Sequence, residues 1–261
     1  MVKSPLRYPG GKTRACKKLH DIFVEHFNHE NYTRLMSPFM GGGSFEFHMF
    51  NTYKFKVRAN DKFKPLYNFW RNCKENKEEL CRQIQGHFDT SISKTDFTDM
   101  RKSIMTDESA LSQSIKFFII NRCSFSGATL SGGFSAESAS KRFTQSSIDK
   151  VRALDLGEFE FSNMDFKDFM NTWTPGSFVF LDPPYYLGNQ SKLYGNQGDM
   201  HENFDHEGLY NSVKNVHGWM MTYNDCEFIR NLYKDFIIID VDWSYGMNKS
   251  KKSSEIVIIC K

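Results

Sequence analysis

Ser177-Phe178-Val179-Phe180-Leu181-Asp182-Pro183-Pro184-Tyr185 decides how the rest of the chain is read. The apolar stretch from Phe178 to Leu181 has the length and the β-branched and aromatic character of a buried strand. It stops at a carboxylate, and the carboxyl end of a strand is where ligands sit in an open α/β sheet. Each of the two prolines fixes φ near the polyproline value and lacks an N–H, so the turn is stiff and its carbonyls stay free to accept. The ring of Tyr185 follows. Two acceptors beside a stacking plate suit a planar group that carries an NH2, and an unpaired nucleobase is one. Asp-Pro-Pro is equally good chemistry for a surface turn, so the four residues alone leave both readings open.

Working outward, further strands are expected over 34–39, 55–59, 158–162, 218–222, 235–242 and 255–260, with helices after Ser44 and over 146–154, 165–171, 205–215 and 225–233. Such alternation argues for an α/β protein with a mostly parallel sheet covered on both faces. Only a Gly/Asn/Lys/Ser loop (244–254) separates the last two strands, which predicts an antiparallel hairpin at one edge. Between Lys64 and Asn121 the pattern is helical, over 64–74, 76–88, 94–104 and 108–121. The segment from Cys123 to Arg142 is rich in Ser and Gly with interspersed Phe, too polar for core and too long for an ordinary connection. Residues 64–145 therefore read as a helical subdomain inserted into a domain made of 1–63 and 146–261.

At 261 residues the chain can bury a sizeable core, and 39% hydrophobic with 25% charged residues is an ordinary globular balance. No apolar run nears the ~20 residues of a membrane span, and Met1-Val2-Lys3-Ser4-Pro5 lacks the apolar core of a signal peptide. Cys16, Cys73, Cys81, Cys123, Cys226 and Cys260 show no short paired spacing, so neither a zinc site nor a disulfide framework is expected. These features predict a soluble intracellular protein of the cytoplasm or nucleoid, with no membrane and no metal. A net charge of +3 permits a nucleic-acid partner without demanding one. Arg7, Lys12, Arg14, Lys17 and Lys18 cluster near one terminus and Lys249, Lys251 and Lys252 near the other; such clusters are usually solvated faces.

Three more constellations bear on chemistry. Pro38-Phe39-Met40-Gly41-Gly42-Gly43-Ser44 stands where a strand turns into a helix, so its glycines let backbone approach a ligand closely. A dinucleotide fingerprint would need glycine at position 46, where Glu46 stands instead, and this disfavours a nicotinamide oxidoreductase. Asp61, at the end of the second strand, is placed to accept from ribose hydroxyls. The combination suits a nucleoside-containing ligand that need carry no phosphate, and S-adenosyl-L-methionine is one. In Leu6-Arg7-Tyr8-Pro9-Gly10-Gly11-Lys12 a lysine beside a Gly-Gly turn can hold a carboxylate and a tyrosine can pack on a cofactor; taken alone, the stretch reads as a basic, fraying terminus. Asp165 and Phe166 follow the strand near 158–162, where the carboxylate could take an adenine amino group or cap the next helix.

In this order the motifs resemble the Dam-like (D12 class) DNA adenine-N6 methyltransferases. The correspondence runs through Arg7–Lys12, Pro38–Ser44, Asp61 with Pro65-Leu66-Tyr67-Asn68, Asn121-Arg122, Asp182–Tyr185 and the closing Glu255-Ile256-Val257-Ile258. The resemblance implies a Rossmann-like catalytic domain that uses S-adenosyl-L-methionine. Tyr8 and Lys12 would meet its methionine end, Pro38, Phe39, Gly41 and Gly43 would run beneath it, Asp61 would hold its ribose, and Asp165 and Phe166 would border its adenine. The Asp182 carboxylate and the Pro183 carbonyl would accept from the amine of a flipped adenine, Tyr185 would stack on it, and Asp182 would also border the cofactor. Double-stranded DNA would be read by the inserted subdomain. The implied contacts are Arg7, Arg122, Ser124, Ser126 and Arg142, joined by Lys249 and Lys251. GATC is the short site that the Dam name carries, and a restriction endonuclease acting on the same site is a further expected partner. The segment Ser124–Ser140 departs from the Dam pattern in having no Arg or Lys. Asp-Pro-Pro-Tyr is also shared, in variants, with cytosine-N4 and RNA adenine methyltransferases, and an inactive DNA-binding module is the alternative of another class.

Overall fold

The computed structural model describes residues 3–8, 10–186, 204–243 and 253–261. Its sheet has seven strands in the order β3-β2-β1-β4-β5-β7-β6. These are β1 (Arg34–Ser37), β2 (Lys56–Asn60), β3 (Phe159–Ser162), β4 (Ser177–Leu181), β5 (Trp219–Asn224), β6 (Ile237–Trp243) and β7 (Ser253–Cys260). The pairings among β1 to β5 are parallel, and β7 lies antiparallel to both β5 and β6. The expected final hairpin is therefore present, with β6 at the edge and β7 inside it.

Side-chain alternation explains why apolar runs rather than amphipathic ones form the central strands. Phe178 and Phe180 of β4 join one core layer with Leu35, Met220, Val257 and Ile259. Their neighbours Val179 and Leu181 join the opposite layer with Met36, Trp219, Met221, Ile256 and Ile258. On the first face pack α1 (Cys16–His26), α2 (Ser44–Tyr53) and α3 (Lys64–Glu75). On the second lie α9 (Phe166–Met170), α10 (His206–Val213) and α11 (Glu227–Leu232).

Between β2 and β3 the chain makes one long crossover of α3, α4 (Lys77–Thr90), α5 (Lys94–Ser103), α6 (Ala110–Cys123), α7 (Ala136–Arg142) and α8 (Gln145–Arg152). Its first helix acts as the sheet's own covering helix. Trp70 is buried against Phe47 and its indole N–H donates to the Gly41 carbonyl at 3.0 Å. Behind it the ring of Phe69 stacks on Phe118 of α6 at 5.6 Å, so the helical block continues the core of that face.

One helix goes beyond the sequence reading and one local expectation is corrected. The basic stretch near the amino terminus contains α1, whose Leu19, Ile22 and Phe23 are all buried. Their i, i+3, i+4 spacing is a helical stripe that the surrounding lysines obscure. The Ser/Gly segment is not too polar for core: Ser124, Thr129, Leu130 and Ser138 are buried. Their burial is tolerable because hydroxyls and backbone satisfy one another locally; Ser135, for example, caps α7 by accepting from the Ser138 N–H at 3.1 Å.

Candidate active site

In the sheet β1 lies beside β4, while the chain leaves β1 for β2 on its other side. The connections thus part at the carboxyl ends of β1 and β4, the switch point where a doubly wound sheet opens a crevice. Asp182 stands at that opening, directly after β4. Its Oδ1 accepts from the Lys12 ammonium at 2.7 Å and from the Thr222 hydroxyl of β5 at 2.6 Å. Lys12 is buried, and its ammonium also donates to the Gly10 carbonyl at 3.0 Å. Both donors to Asp182 thus fall on one oxygen, so the carboxylate is fixed in rotation with Oδ2 turned away from them. The next aromatic ring is held from several directions. Lys12 Nζ lies 5.1 Å from the Tyr185 ring centroid, Tyr223 packs on the ring at 6.0 Å, and the Tyr185 hydroxyl donates to Glu255 of β7 at 2.7 Å.

The wall opposite is built from the turn after β1. Gly41 and Gly43 have φ of +50° and +68°, the left-handed region that glycine enters without strain. A Cβ on Gly41 would also come within 2.9 Å of the Tyr8 ring, so Tyr8 and the glycine turn pack as one surface. The Gly41 N–H donates to Asp61 Oδ2 and the Phe63 N–H to Oδ1, each at 2.9 Å. Burial outweighs these two bonds and pushes the Asp61 carboxyl up to about 6. Each oxygen accepts one backbone N–H and keeps acceptor capacity for a further donor, such as a hydroxyl of a vicinal diol. Asn60, buried at the end of β2, ties the neighbouring loops together: its amide donates to the Pro38 and Met164 carbonyls, each at 3.1 Å.

Phe39, Phe166 and Phe204 form an aromatic group at the mouth of the crevice, with centroids 5.2 to 5.7 Å apart. Asp165 caps α9, accepting from the Lys167 N–H at 3.1 Å, and its other oxygen pairs with Lys62 at 2.8 Å. Beneath the ion pair of Lys12 and Asp182 lies Glu46 of α2, buried and accepting from the Ser37 hydroxyl at 2.6 Å. Burial raises its carboxyl to about 7, with a smaller push from Asp182 that Lys12 opposes.

The chain matches a known group of proteins. A family model for D12 class N6 adenine-specific DNA methyltransferases aligns with residues 8–247. The chain belongs to that family. It is similar to the Type II methyltransferase M1.LlaDCHI of Lactococcus lactis subsp. cremoris, at 24% identity over 95% of this chain and 90% of that protein. It is also similar to the Type II methyltransferase M.MjaIII of Methanocaldococcus jannaschii, at 23% identity over 74% of this chain and 72% of the relative. The protein is thus an adenine-specific DNA methyltransferase, with DNA as substrate and a methyl donor as its second reactant. Among the described residues no helix is long and apolar enough to cross a membrane.

Of the residues that the sequence assigns to DNA, Arg7, Arg122 and Arg142 gather around the amino-terminal stretch of chain. Asn121 stitches the Arg7 backbone from both sides: its Oδ1 accepts from the Arg7 N–H at 3.1 Å and its amide donates to the Arg7 carbonyl at 2.5 Å. The Arg122 guanidinium donates to the carbonyls of Arg142 at 2.7 Å and Pro5 at 3.3 Å. Burial, reinforced by Arg7 and Arg142, lowers its pKa to about 10. Burial and Arg142 likewise lower that of Arg7, one of whose terminal nitrogens is buried without a hydrogen-bond partner. Arg142 donates to the Ser138 hydroxyl at 2.8 Å. Ser124 is buried. The Ser126 side chain, Lys249 and Lys251 lie outside the described residues.

Four positioning side chains were not singled out from the sequence: Thr222, Asn60, Glu46 and Glu255. A signal existed for each. Thr222 and Glu255 are polar residues at the crevice end of otherwise apolar strands, Asn60 ends β2, and Glu46 is a charged residue within the apolar helix stretch Phe45–Phe50.

Proposed function

We propose that this enzyme moves a methyl group from S-adenosyl-L-methionine to N6 of an adenine flipped out of a short duplex site, as the modification half of a restriction pair. The observation that carries the reading is the Asp182 carboxylate. It is locked through Oδ1 by Lys12 and Thr222 at the switch-point crevice and followed at once by Pro183 and the anchored ring of Tyr185. The Asp61 carboxylate, with acceptor capacity left beside the glycine turn, fits the ribose of the donor. Tyr8, Lys12, Pro38, Phe39, Gly41 and Gly43 line its path, and Phe166 with Asp165 borders its base. When bound, the donor supplies a sulfonium methyl, which is an electrophile.

The protein's own groups deal with the weakness of the nucleophile. An exocyclic amine is poor because its lone pair is delocalised into the ring. Asp182 Oδ2 and the Pro183 carbonyl accept hydrogen bonds from its two N–H groups and localise the lone pair on nitrogen, out of conjugation with the ring. As an N–CH3 bond replaces the donor's S–CH3 bond, leaving the donor a neutral thioether, the carboxylate would stabilise the positive charge on the amine, whose surplus proton then passes to water. Flipping costs a few kcal/mol, and stacking on Tyr185, worth ~1–3 kcal/mol per base, offsets most of it. The helical block 64–145 supplies the DNA-facing surface, with the half-buried Arg7 and Arg142 beside it. Relatives named Type II methyltransferases support a cognate endonuclease that cuts the same sequence.

The test is expression in a methylation-free host followed by mapping of modified bases across the genome. N6-methyladenine confined to one short motif, GATC being the first to compare, supports the reading. Modified cytosine, or adenine methylation confined to RNA, would sink it.

A further inference from the structure

We propose that Glu255 is a positioning residue for methyl transfer, holding the ring of Tyr185 in the plane on which the target adenine stacks; the inference rests on the flipped-adenine reading above. Glu255 opens the apolar run Glu255-Ile256-Val257-Ile258-Ile259 of β7, and only 3% of it is exposed. It is flanked in register by Asn224 of β5 and Val241 of β6. Strand alternation puts it on the same face as Val257 and Ile259, both part of the apolar core. A carboxylate there costs stability unless it is paired, and an aliphatic residue would serve the core better. Among its partners is the Tyr185 hydroxyl, which donates to Oε2 at 2.7 Å across a separation of 70 residues. At 2.7 Å this is a well-formed O–H···O hydrogen bond, and it holds the far end of the ring.

Its surroundings make the same point about the motif as a whole. Thr222 fixes Asp182 and the Asn224 amide donates to the Tyr186 carbonyl at 2.6 Å, so β5 holds the motif at two places. Tyr185 lies between them, and its hydroxyl is held by the next strand, β7. The final hairpin therefore belongs to the active site as well as to the sheet. Glu255 reaches the adenine only through Tyr185, which makes its role one of positioning.

The experiment compares wild type, Tyr185→Phe, Glu255→Leu, Glu255→Gln and the Tyr185→Phe/Glu255→Leu double variant. Methyl transfer is measured with tritiated S-adenosyl-L-methionine on unmethylated genomic DNA. Flipping is read by fluorescence of 2-aminopurine placed at the target adenine of the mapped site. Tyr185→Phe and Glu255→Leu are each expected to lower kcat by about ten-fold and to reduce the fluorescence rise, with KM for the donor changed less than about two-fold. The double variant is expected to be about as slow as either single one, since both remove the same contact. Glu255→Gln, which keeps an acceptor, should recover most of the rate. Wild-type kcat and fluorescence in Glu255→Leu, or losses that multiply in the double variant, would overturn the inference. If Glu255→Leu does not fold, Tyr185→Phe decides, because full activity there shows that the hydroxyl contact does not set the ring. A wild type that transfers methyl with no rise in fluorescence overturns the flipped-adenine reading itself, and the inference falls with it.

Discussion

The crevice around Asp182 and the segment from Asn121 to Arg142 are both polar regions folded against apolar walls, yet they satisfy their polar groups in opposite ways. In the crevice the contacts are long-range: Lys12, Thr222 and Glu255 reach the 182–185 motif from α1's approach, β5 and β7. In the segment they are mostly local or to backbone. Serine hydroxyls cap turns and helices, and Asn121 and Arg122 bind main-chain carbonyls of the amino-terminal stretch. The crevice therefore holds a small number of groups in one geometry, as chemistry requires. The segment instead leaves guanidiniums of like charge near one another with no carboxylate within ion-pair distance among the described residues. Such an arrangement would suit an anionic partner.

If this contrast is right, the largest effect belongs to Asp182. Asp182→Asn should lower kcat by about a thousand-fold or more while donor binding, measured by calorimetry, changes little. Near-normal turnover in this variant would break the assignment of the crevice. Asp182→Ala should be equally inactive and less stable, because it leaves the Lys12 ammonium buried without its partner. Thr222→Val comes next. It keeps the shape of β5 and removes one of the two donors to Oδ1, so roughly a ten-fold loss of kcat is expected, with an unchanged melting temperature as the check on folding.

The two regions also differ in how far they could be read without coordinates. Apolar runs ending in Asp182, Asp61 and the Gly41–Gly43 turn were legible because strand length, glycine chemistry and strand-end acids are local signals. Helix α1 was obscured because its stripe of Leu19, Ile22 and Phe23 sits among lysines. Thr222 and Glu255 were not legible as site residues, since their meaning depends on β5 and β7 lying beside β4, and strand order is a tertiary fact. Lys12 was expected at the methionine end of the donor; its ion pair with Asp182 is a contact that the sequence did not name. A short segment of lysine and glycine says that a carboxylate is wanted but not which one.

For the arginines the expected effect is smaller and of a different kind. Arg142→Ala should weaken DNA binding several-fold and reduce the slope of log K against log salt by about 1, with kcat at saturating DNA near that of wild type. A loss confined to one base of the site, with the slope unchanged, would turn Arg142 from a phosphate contact into a base reader. Arg122 should behave unlike it. With its guanidinium on the carbonyls of Arg142 and Pro5, Arg122→Ala is expected to lower the melting temperature and to move the salt slope little.

The smallest effect concerns Glu46, which lies under the crevice and separates stability from chemistry. Its carboxyl is raised from 4.5 to about 7, chiefly by burial. The folded state therefore holds its proton where the unfolded state has lost it. Stability contributed by the protonated form is complete below about 4.5 and is lost as pH rises through about 7. Glu46→Gln keeps an acceptor for the Ser37 hydroxyl and cannot ionise. It should match wild type near pH 4.5 and be the more stable of the two at pH 8, by about 1–3 kcal/mol. Urea unfolding at the two pH values measures the difference directly. A variant less stable than wild type at pH 8 would show that the ionised carboxylate helps to hold the Lys12 ammonium, and Glu46 would then have to be counted with Asp182 in the charge balance of the crevice.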